Sequence, residues 1–299
     1  MVNRISASGA SQTKVKALTL KGGRHGVLLF HGLSSSPLEL QFVARGLHRA
    51  GYTVHAPVIP GYTYGLIHDH GASHSVEDWI SVALKELDWL SKKCDRVSVG
   101  GLCIGAVLAL RVAAMRSDSL CSVLALSTAL HFDGWGNPWY TQLLDLARYT
   151  PFAKRISIKE REPYGLKDER MRAWVKRQMD TIGQSNAGAA SLRVGDLLIA
   201  RDLISLTRKS LDKIKCDALL IHAKEDEIAS TKSSFEVADR VNSTRIHLVI
   251  LSNSYHMVSI DQEKDVVISA MIQFLSQDDI APSVGSVSPP AQGLSLAKR

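Results

Sequence analysis

Short apolar runs alternate with amphipathic helical segments along most of this 299-residue chain. Six runs have the length and composition of buried strands: HGVLLFHG (25–32), TVHAPVI (53–59), RVSVGG (96–101), SVLALS (122–127), DALLIHA (217–223) and RIHLVIL (245–251). Segments such as PLELQFVARGLHRAG and VEDWISVALKELDWLSKK lie between them and carry apolar residues at helical spacing. The alternation predicts an α/β fold with a mostly parallel central sheet and helices on both faces.

The alternation is interrupted once and fades at both ends of the chain. From 131 to 212 the sequence is helical in pattern, basic and aromatic, which predicts a helical lid inserted between two strands. The core then comprises 21–130 and 213–277, preceded by an N-terminal extension, 1–20. The last segment, 278–299, is rich in Ser, Pro, Gly and Ala and is predicted to be a flexible tail.

Composition and charge argue against several classes of protein. The four cysteines show neither CxxC nor Cys/His metal spacing, so neither a zinc site nor a disulfide framework is expected. The sequence has no apolar run of about 18 residues and no secretory signal, so we expect a cytoplasmic protein without a transmembrane segment. The net charge of +7 is concentrated in the lid and comes without a nucleic-acid-binding motif. Nucleic acid is therefore not an expected partner.

The stretch RVSVGGLCIGAVLAL (96–110) places a cysteine between a strand and a helix. Its GLCIG core has the spacing of the nucleophile elbow G-x-S-x-G, with Cys103 in place of serine. Glycines are needed on both sides because the nucleophile occupies a strained turn against the adjacent strand and helix. By itself this motif leaves two interpretations open, a nucleophile or a small buried residue.

The loop in LLFHGLSSSP follows an early strand and has the position of an oxyanion-hole loop. It would supply one backbone amide, from Leu33, and the residue after the nucleophile, Ile104, would supply the other. A strand followed by a Ser-rich turn and a helix cap is compatible with this interpretation and accounts for Ser34 to Pro37.

Two later loops carry an acid and a histidine in the chain order of a hydrolase triad. LLIHAKEDEIAS ends a strand in an acidic turn, where Asp226 is the predicted acid. Two flanking residues compete for that role: Glu225 and Glu227. LVILSNSYHMVSIDQEKD places His256, the predicted base, in a loop. Two further histidines inside apolar runs are predicted to be satisfied core residues: His222 and His247.

Together these segments resemble α/β-hydrolases of the bacterial carboxylesterase and monoacylglycerol lipase group. HGLSSSP is similar to the group's HGFTGSP-like loop, AGYTVHAPVIPGY to its strand and following turn, AKEDEIAS to its acid turn, and YHMVSIDQEKD to its histidine loop. The resemblance covers roughly 25–277, with the lid matched only loosely, and implies an α/β-hydrolase fold. It assigns the nucleophile to Cys103, the acid to Asp226, the base to His256, and the oxyanion-hole amides to Leu33 and Ile104.

The chain departs from the group at two positions. The group usually has serine at the elbow, so the substrate of the group does not carry over directly to a chain with Cys103 at that position. Its Gly-His-Gly turn is replaced by PGYTYG, where Tyr62 stands at the position of the histidine and is expected to alter the rim of the pocket.

A cysteine nucleophile favours thioesters or activated esters, because a tetrahedral adduct with an ordinary ester tends to expel the thiolate and revert. The leading hypothesis is an acyl hydrolase that uses Cys103, His256 and Asp226 on a small-molecule ester or thioester with a hydrophobic acyl chain. A covalent acyl-cysteine intermediate is expected, and neither a metal nor a redox cofactor is required.

Three alternatives remain open at this stage. Because the acyl-cysteine is itself a thioester, an acyltransferase or cyclising thioesterase would pass the acyl group to a nucleophile other than water. A catalytically silent binding protein of the same fold, or an engineered serine-to-cysteine change, would also fit the sequence. The basic lid suggests an acidic acyl carrier protein or a coenzyme A thioester as partner, although a solvated helical face explains it too. Four lid aromatics would line an acyl tunnel or pack the lid: Trp135, Trp139, Tyr140 and Trp174.

Overall fold

The computed structural model describes residues 15–64, 74–137, 156–182, 184–185, 188–189 and 191–280. Its strands are Leu18–Leu20 (β1), His25–Phe30 (β2), Thr53–Ala56 (β3), Arg96–Leu102 (β4), Ser122–Leu126 (β5), Ser157–Lys159 (β6), Gln184–Ser185 (β7), Gly188–Ala189 (β8), Ser191–Arg193 (β9), Asp217–Ala223 (β10) and Ile246–Leu251 (β11). Its α-helices are Gln41–Arg49 (α1), Val76–Ser91 (α2), Ile104–Arg116 (α3), Glu169–Ile182 (α4), Val194–Arg208 (α5), Lys232–Arg240 (α6) and Lys264–Ile280 (α7).

Seven strands form the central sheet in the order β1-β3-β2-β4-β5-β10-β11. Every pairing is parallel except that of β1 with β3, which is antiparallel. The central strands β2, β4, β5 and β10 are almost wholly buried, as their continuous apolar runs predict. The predicted α/β-hydrolase fold with a mostly parallel sheet is therefore confirmed.

Helices cover both faces of the sheet and enclose two apolar layers. One layer contains side chains of α2, α3 and α5, and includes the fully buried Trp79 and Leu203. The other contains side chains of α1 and α7, and includes Leu47 and Met271. Helix α2 begins at a capping box, in which Ser75 and Asp78 each accept a backbone N–H from the other. Among the described helices, none combines the length and apolarity that a membrane crossing requires.

The boundaries at the two ends of the core differ from those predicted. β1 lies inside the predicted N-terminal extension, 1–20, because this edge strand has only two half-buried leucines on either side of the exposed Thr19, which leaves no continuous apolar run in the sequence. Helix α7 continues to Ile280, past the predicted start of the tail at 278. The rest of that tail, 281–299, and residues 1–14 lie outside the described residues.

The predicted lid interval, 131–212, contains short strands as well as helices. β6 pairs with β9 and β7 pairs with β8, both antiparallel, and two- or three-residue strands leave no recognisable period in a sequence. Helix α5 packs its buried face, including Leu203 and Thr207, onto α3 and thus belongs to the core layer. Trp139 and Tyr140 lie outside the described residues, whereas Trp174 packs against the second apolar layer.

The last strand, β11, is an edge strand and is only partly buried. His247 on this strand is exposed and meets Phe274 edge to face, with 5.2 Å between the ring centroids. The prediction that His247 is a buried core histidine is therefore wrong, because an apolar run at the edge of a sheet is covered on one side only.

Candidate active site

Cys103 stands at the tip of the turn between β4 and α3. Its backbone has φ 59° and ψ −120°, a strained conformation for a residue other than glycine, and its N–H donates to Leu126 O at 3.0 Å. A Cβ on Gly101 would lie 2.3 Å from Gly105 O, and one on Gly105 would lie 2.1 Å from Phe30 O. Both positions thus require glycine, and the turn has the geometry of a nucleophile elbow.

His256 and Asp226 form a buried hydrogen-bonded pair. Nδ1 of His256 lies 2.8 Å from Oδ2 and 3.0 Å from Oδ1 of Asp226. The carboxylate also accepts the N–H groups of Ile228 and Ala229 at 2.8 and 2.9 Å. Burial opposes ionisation of Asp226, but the two neighbouring histidines outweigh burial and hold its pKa well below the usual range. Asp226 is therefore a fixed anion behind the imidazole.

The other side of the imidazole is turned toward Cys103. Nε2 of His256 is buried and makes no hydrogen bond of ordinary geometry with the described residues. Burial disfavours the imidazolium, but the Asp226 carboxylate and the Cys103 side chain outweigh burial and raise the pKa of His256 well above 6.5. The fold thus brings together the three residues that the sequence marks as nucleophile, base and acid.

The two glutamates that compete with Asp226 do not contact the ring nitrogens of His256. Glu225 is half-exposed and forms an ion pair with Lys167 at 3.0 Å. Glu227 is buried, and its Oε2 accepts the backbone N–H of His256 at 3.2 Å. Asp226 alone of these three carboxylates occupies the position behind the imidazole.

A second histidine contacts the acid, which the sequence did not reveal. His222 is completely buried, with Nδ1 2.7 Å from Ser234 Oγ and Nε2 2.7 Å from Ala229 O. The same Nε2 lies 3.3 Å from Asp226 Oδ2. His222 is a satisfied core residue, as predicted, and it also supports Asp226. In the sequence, only the four-residue spacing between His222 and Asp226 at the end of β10 could have indicated this contact.

Leu33 and Ile104 both line the cavity that contains Cys103. Neither of their backbone amides donates to a protein acceptor in the described ranges. Ile104 is the first residue of α3, so its N–H belongs to the free donors of a helix N-terminus. The two amides are therefore available to a ligand, as an oxyanion hole requires.

Tyr62 supports the oxyanion loop from inside the core. Its side chain is fully buried, and its hydroxyl donates to His31 O at 2.6 Å. The neighbouring Thr63 Oγ1 lies 2.9 Å from His31 Nε2. Tyr62 is not among the residues that line the cavity, so the expectation that it alters the pocket rim is wrong. Its ring is directed inward, where it meets Trp79 edge to face.

The cavity beside Cys103 has a volume of about 400 Å³ and a mixed apolar and charged lining. Its apolar walls include Leu33, Phe132, Ile158, Leu192, Leu197 and Met257. Four glutamates also line it, Glu39, Glu160, Glu162 and Glu227, together with three basic residues, Lys159, Arg161 and Arg201. Burial raises the pKa of Glu39 to about 7, burial and repulsion by Glu227 raise that of Glu160 to about 7, and burial raises that of Glu227. Sequence reasoning missed both Glu39, which lies two residues after the HGLSSSP motif, and Glu160, which lies in the loosely matched lid.

The segment 134–137 joins the lid to the acid turn. Gly136 N–H donates to Glu227 O at 2.9 Å, and Trp135 Nε1–H donates to Glu225 O at 2.9 Å. A Cβ on Gly134 would lie 2.3 Å from the carbonyl carbon of Glu227. The first part of the lid therefore lies directly on the turn that carries the acid, while the Trp135 ring is 61% exposed at the cavity mouth.

The arrangement can perform acyl transfer to and from a side chain. It combines an elbow residue, a buried His-carboxylate pair and two free amides around one cavity, which is the constellation of nucleophilic hydrolases. No cluster of three or more His, Cys, Asp or Glu side chains within the described part of the chain is arranged to hold a metal ion.

The sheet, the elbow and the order of these residues define the chain as an α/β-hydrolase. It belongs to the family described as serine aminopeptidase, S33, whose model matches residues 23–263. The thermostable monoacylglycerol lipase of Bacillus sp. (strain H-257) is 25% identical over 265 residues, which cover 86% of this chain and 92% of that protein. The carboxylesterase of Bacillus subtilis (strain 168) is 24% identical over 265 residues, covering 88% and 97%.

Solved structures share the fold at lower identity. A structure from the metagenome-derived lipolytic enzymes LipS and LipT superposes with a TM-score of 0.74 at 24% identity, covering 88% of this chain and 98% of that one. The monoacylglycerol lipase of Paleococcus ferrophilus gives a TM-score of 0.71 at 18% identity, covering 89% and 99%. Both likenesses extend over almost the whole of the compared chains and agree with the α/β-hydrolase fold.

Proposed function

We propose that this α/β-hydrolase is an esterase- or lipase-type acyl hydrolase that uses Cys103 as its nucleophile. The observation that carries the proposal is the placement of Cys103 at a positive-φ elbow, with the His256–Asp226 pair facing it across one cavity. Family membership and the similarity to a lipase and a carboxylesterase support the reaction class.

In the proposed reaction the Cys103 sulfur attacks the carbonyl carbon of the substrate, and the carbonyl electrons move to oxygen. The amides of Leu33 and Ile104 stabilise this oxyanion. His256, which is held protonated beside Asp226, gives its proton to the leaving alcohol or thiol as the carbonyl re-forms. An acyl-cysteine remains. A water molecule then loses a proton to His256 and attacks the acyl carbon, which releases the carboxylic acid and the Cys103 sulfur.

The apolar walls of the cavity support a hydrophobic acyl chain, and the cysteine favours thioesters or activated esters over ordinary esters. A basic groove next to the mouth supports an anionic thioester carrier such as coenzyme A or an acidic carrier protein. It is lined by Lys167, Arg170, Arg172 and Lys264, together with the side chain of Tyr255. Two acidic residues, Asp168 and Glu169, also line it, so its net charge is modest.

Acyl transfer to a nucleophile other than water is the second candidate. Oε1 of Glu227 is buried beside the loop of His256 and has no hydrogen-bond partner among the described residues. A hydrogen-bond donor of an acceptor alcohol or amine would satisfy this oxygen, since a buried carboxylate oxygen without a partner is costly. The acyl-cysteine would then pass its acyl group to that acceptor.

The proposal is tested by intact-mass trapping of an acyl adduct from a panel of matched oxoesters and thioesters, followed by mapping of the modified residue. We expect one adduct, on Cys103, and its loss in Cys103→Ala. Cys121→Ala is the matched control, because Cys121 is also a partly exposed free thiol. Turnover that survives in Cys103→Ala would overturn the proposal. Products formed with alcohol or amine acceptors present separate hydrolysis from acyl transfer.

A further inference from the structure

Glu39 is a buried carboxyl group beside the oxyanion loop, and the proposed mechanism gives it no role. It lies in the short 3₁₀ turn Pro37–Leu40, and its side chain is almost completely shielded from solvent. Its Oε2 accepts the backbone N–H of Gly32 at 2.5 Å. Gly32 immediately precedes Leu33, whose amide is a proposed oxyanion donor. Glu39 therefore holds the residue on which the direction of that amide depends.

Gly32 is held at both of its peptide groups. Glu39 binds its N–H, and Nδ1 of His31 lies 2.7 Å from its carbonyl oxygen. Burial lowers the pKa of His31 to about 4, so near neutrality its ring is uncharged and donates from Nδ1. Because the peptide bond is planar and trans, a fixed Gly32 carbonyl fixes the direction of the Leu33 N–H. The two contacts together orient one half of the oxyanion hole.

The backbone of Glu39 is also tied to the loop that carries the base. Ser259 Oγ donates to Glu39 O at 3.1 Å, and Ser259 follows His256 by three residues. The carboxyl group lies on the side of Gly32 that faces the nucleophile. A Cβ on Gly32 would be 3.2 Å from Glu39 Oε1 and 3.7 Å from Cys103 Cβ. A negative charge on Glu39 would thus lie close to the sulfur and to the developing oxyanion.

We propose that Glu39 is a positioning residue of the oxyanion loop, whose neutral acid form supports turnover and whose carboxylate impairs it. Either form accepts the Gly32 N–H through a carbonyl-type oxygen, so the loop stays in place. Only the carboxylate adds a like charge next to the thiolate and the tetrahedral oxyanion, where the low dielectric makes repulsion strong. The inference rests on the proposed function, because it assumes that an oxyanion forms at Cys103.

The protonation state of Glu39 changes in the working range of most enzymes. Burial raises its pKa to about 7, and the hydrogen bond from Gly32 and the charge of His256 only partly oppose this. The other titratable groups facing it are Cys103, His31 and Tyr62, and burial raises the pKa of Tyr62 well above 10. As the pH rises through about 7, Glu39 loses its proton. We therefore expect turnover to fall on the alkaline side of neutrality.

The test is the pH profile of kcat with one thioester substrate for the wild type and for Glu39→Gln. Glutamine keeps an oxygen for the Gly32 N–H but stays neutral, so we expect Glu39→Gln to turn over substrate and to lose the alkaline fall. In Glu39→Ala we expect kcat to fall about 10- to 100-fold with KM little changed, because an oxyanion donor is misplaced. The proposed role of Glu39 thus predicts that Glu39→Gln retains the turnover that Glu39→Ala loses.

Glu160→Gln is the matched control, because Glu160 lines the same cavity and burial with repulsion by Glu227 also raises its pKa to about 7. An alkaline fall that persists in Glu39→Gln, or that disappears in Glu160→Gln instead, would overturn the inference. So would a Glu39→Gln variant that folds, by its melting curve, and is as slow as Glu39→Ala. Acyl adducts on Cys103, measured on the same samples, test the proposed function separately. If Cys103 is acylated but the pH profile of Glu39→Gln equals that of the wild type, only the inference about Glu39 fails.

Discussion

Nε2 of His222 lies 3.3 Å from Oδ2 of Asp226, on a carboxylate that already binds the imidazole of His256. Two histidines therefore hold the same acid, and one of them lies wholly in the core. The expected effect of His222→Gln is a fall in kcat of about tenfold with KM nearly constant, because a loosened Asp226 orients His256 less well. The free energy of unfolding should fall by about 1–3 kcal/mol, since Ser234 and Ala229 lose a buried partner.

Steady-state kinetics and urea denaturation measure both effects of His222→Gln. His247→Gln is the matched control, because His247 is an exposed histidine on the neighbouring strand. If kcat falls equally in the two variants, His222 does not help to orient Asp226.

Asp226→Asn should lower kcat by roughly 10³- to 10⁴-fold, because an amide favours the wrong tautomer of His256 and does not stabilise its protonated form. The neighbouring Glu225→Gln serves as the control and should leave kcat within about twofold, since Glu225 pairs with Lys167 at the surface. Single-turnover kinetics of both variants check this assignment. A larger loss of kcat in Glu225→Gln than in Asp226→Asn would show that Glu225 is the catalytic acid.

Cys103→Ser should shift the substrate preference from thioesters toward oxoesters. A serine alkoxide is a poorer leaving group than a thiolate, so an adduct with an oxoester reverts less often. We expect the ratio of kcat/KM for a thioester to that for its matched oxoester to fall about tenfold or more. Cys121→Ser, which changes a thiol away from the elbow, should leave the ratio unchanged. A constant ratio in Cys103→Ser would show that the nucleophile does not set the leaving-group preference.

Glu236 should contribute to stability above its unfolded pKa and lose that contribution in acid. Burial opposes its ionisation, but hydrogen bonds from Arg208, His131 and Arg240 outweigh burial and lower the pKa of Glu236 from 4.5 to about 2. The folded protein therefore binds fewer protons than the unfolded chain between these pH values, and stability falls as pH falls through them. Melting temperatures of Glu236→Gln should decline less steeply in this window than those of the wild type. Glu77→Gln, at an exposed site on α2, should retain the wild-type slope.

The basic groove should raise the affinity for an anionic thioester carrier. In the double variant Arg170→Gln, Lys264→Gln we expect KM for an acyl-coenzyme A to rise about three- to tenfold. KM for the corresponding N-acetylcysteamine thioester, which lacks the phosphates, should stay constant. A double control at Lys209 and Lys213, which do not line the groove, should behave as the wild type. If KM for both thioesters is unchanged in the groove variant, the basic residues form a solvated surface and do not bind the carrier.

Six of the seven strands of the central sheet, and the proximity of Cys103, His256 and Asp226, could be predicted from the sequence because each leaves a local signal. A buried parallel strand is a continuous apolar run, and the elbow needs Gly101 and Gly105 in the sequence because no side chain fits there. The order of Cys103, Asp226 and His256 follows from chain connectivity, which places their loops at the same edge of the sheet.

The parts that escaped prediction depend on side-chain contacts that form only in the packed fold. Glu39 looks like an acidic residue in the first turn of a helix, and only the fold shows that it accepts the Gly32 N–H. From the sequence, Tyr62 could be compared only with the histidine that stands at its position in the related hydrolases, which predicted a place at the pocket rim. In the structure its hydroxyl is directed inward and donates to the backbone carbonyl of His31. The burial and the direction of these two polar side chains depend on the packed core, and no periodicity in the sequence encodes them.

The hydrogen bonds between the segment 134–137 and the acid turn restrict how the cavity can widen. A displacement of Gly136 away from the cavity would either break its hydrogen bond to Glu227 O or carry the turn 225–228 with it, and in the second case Asp226 would move away from His256. Widening of the cavity on this side therefore either costs a backbone hydrogen bond or disturbs the His256–Asp226 pair. The size of the cavity and the alignment of that pair are thus linked through a single turn.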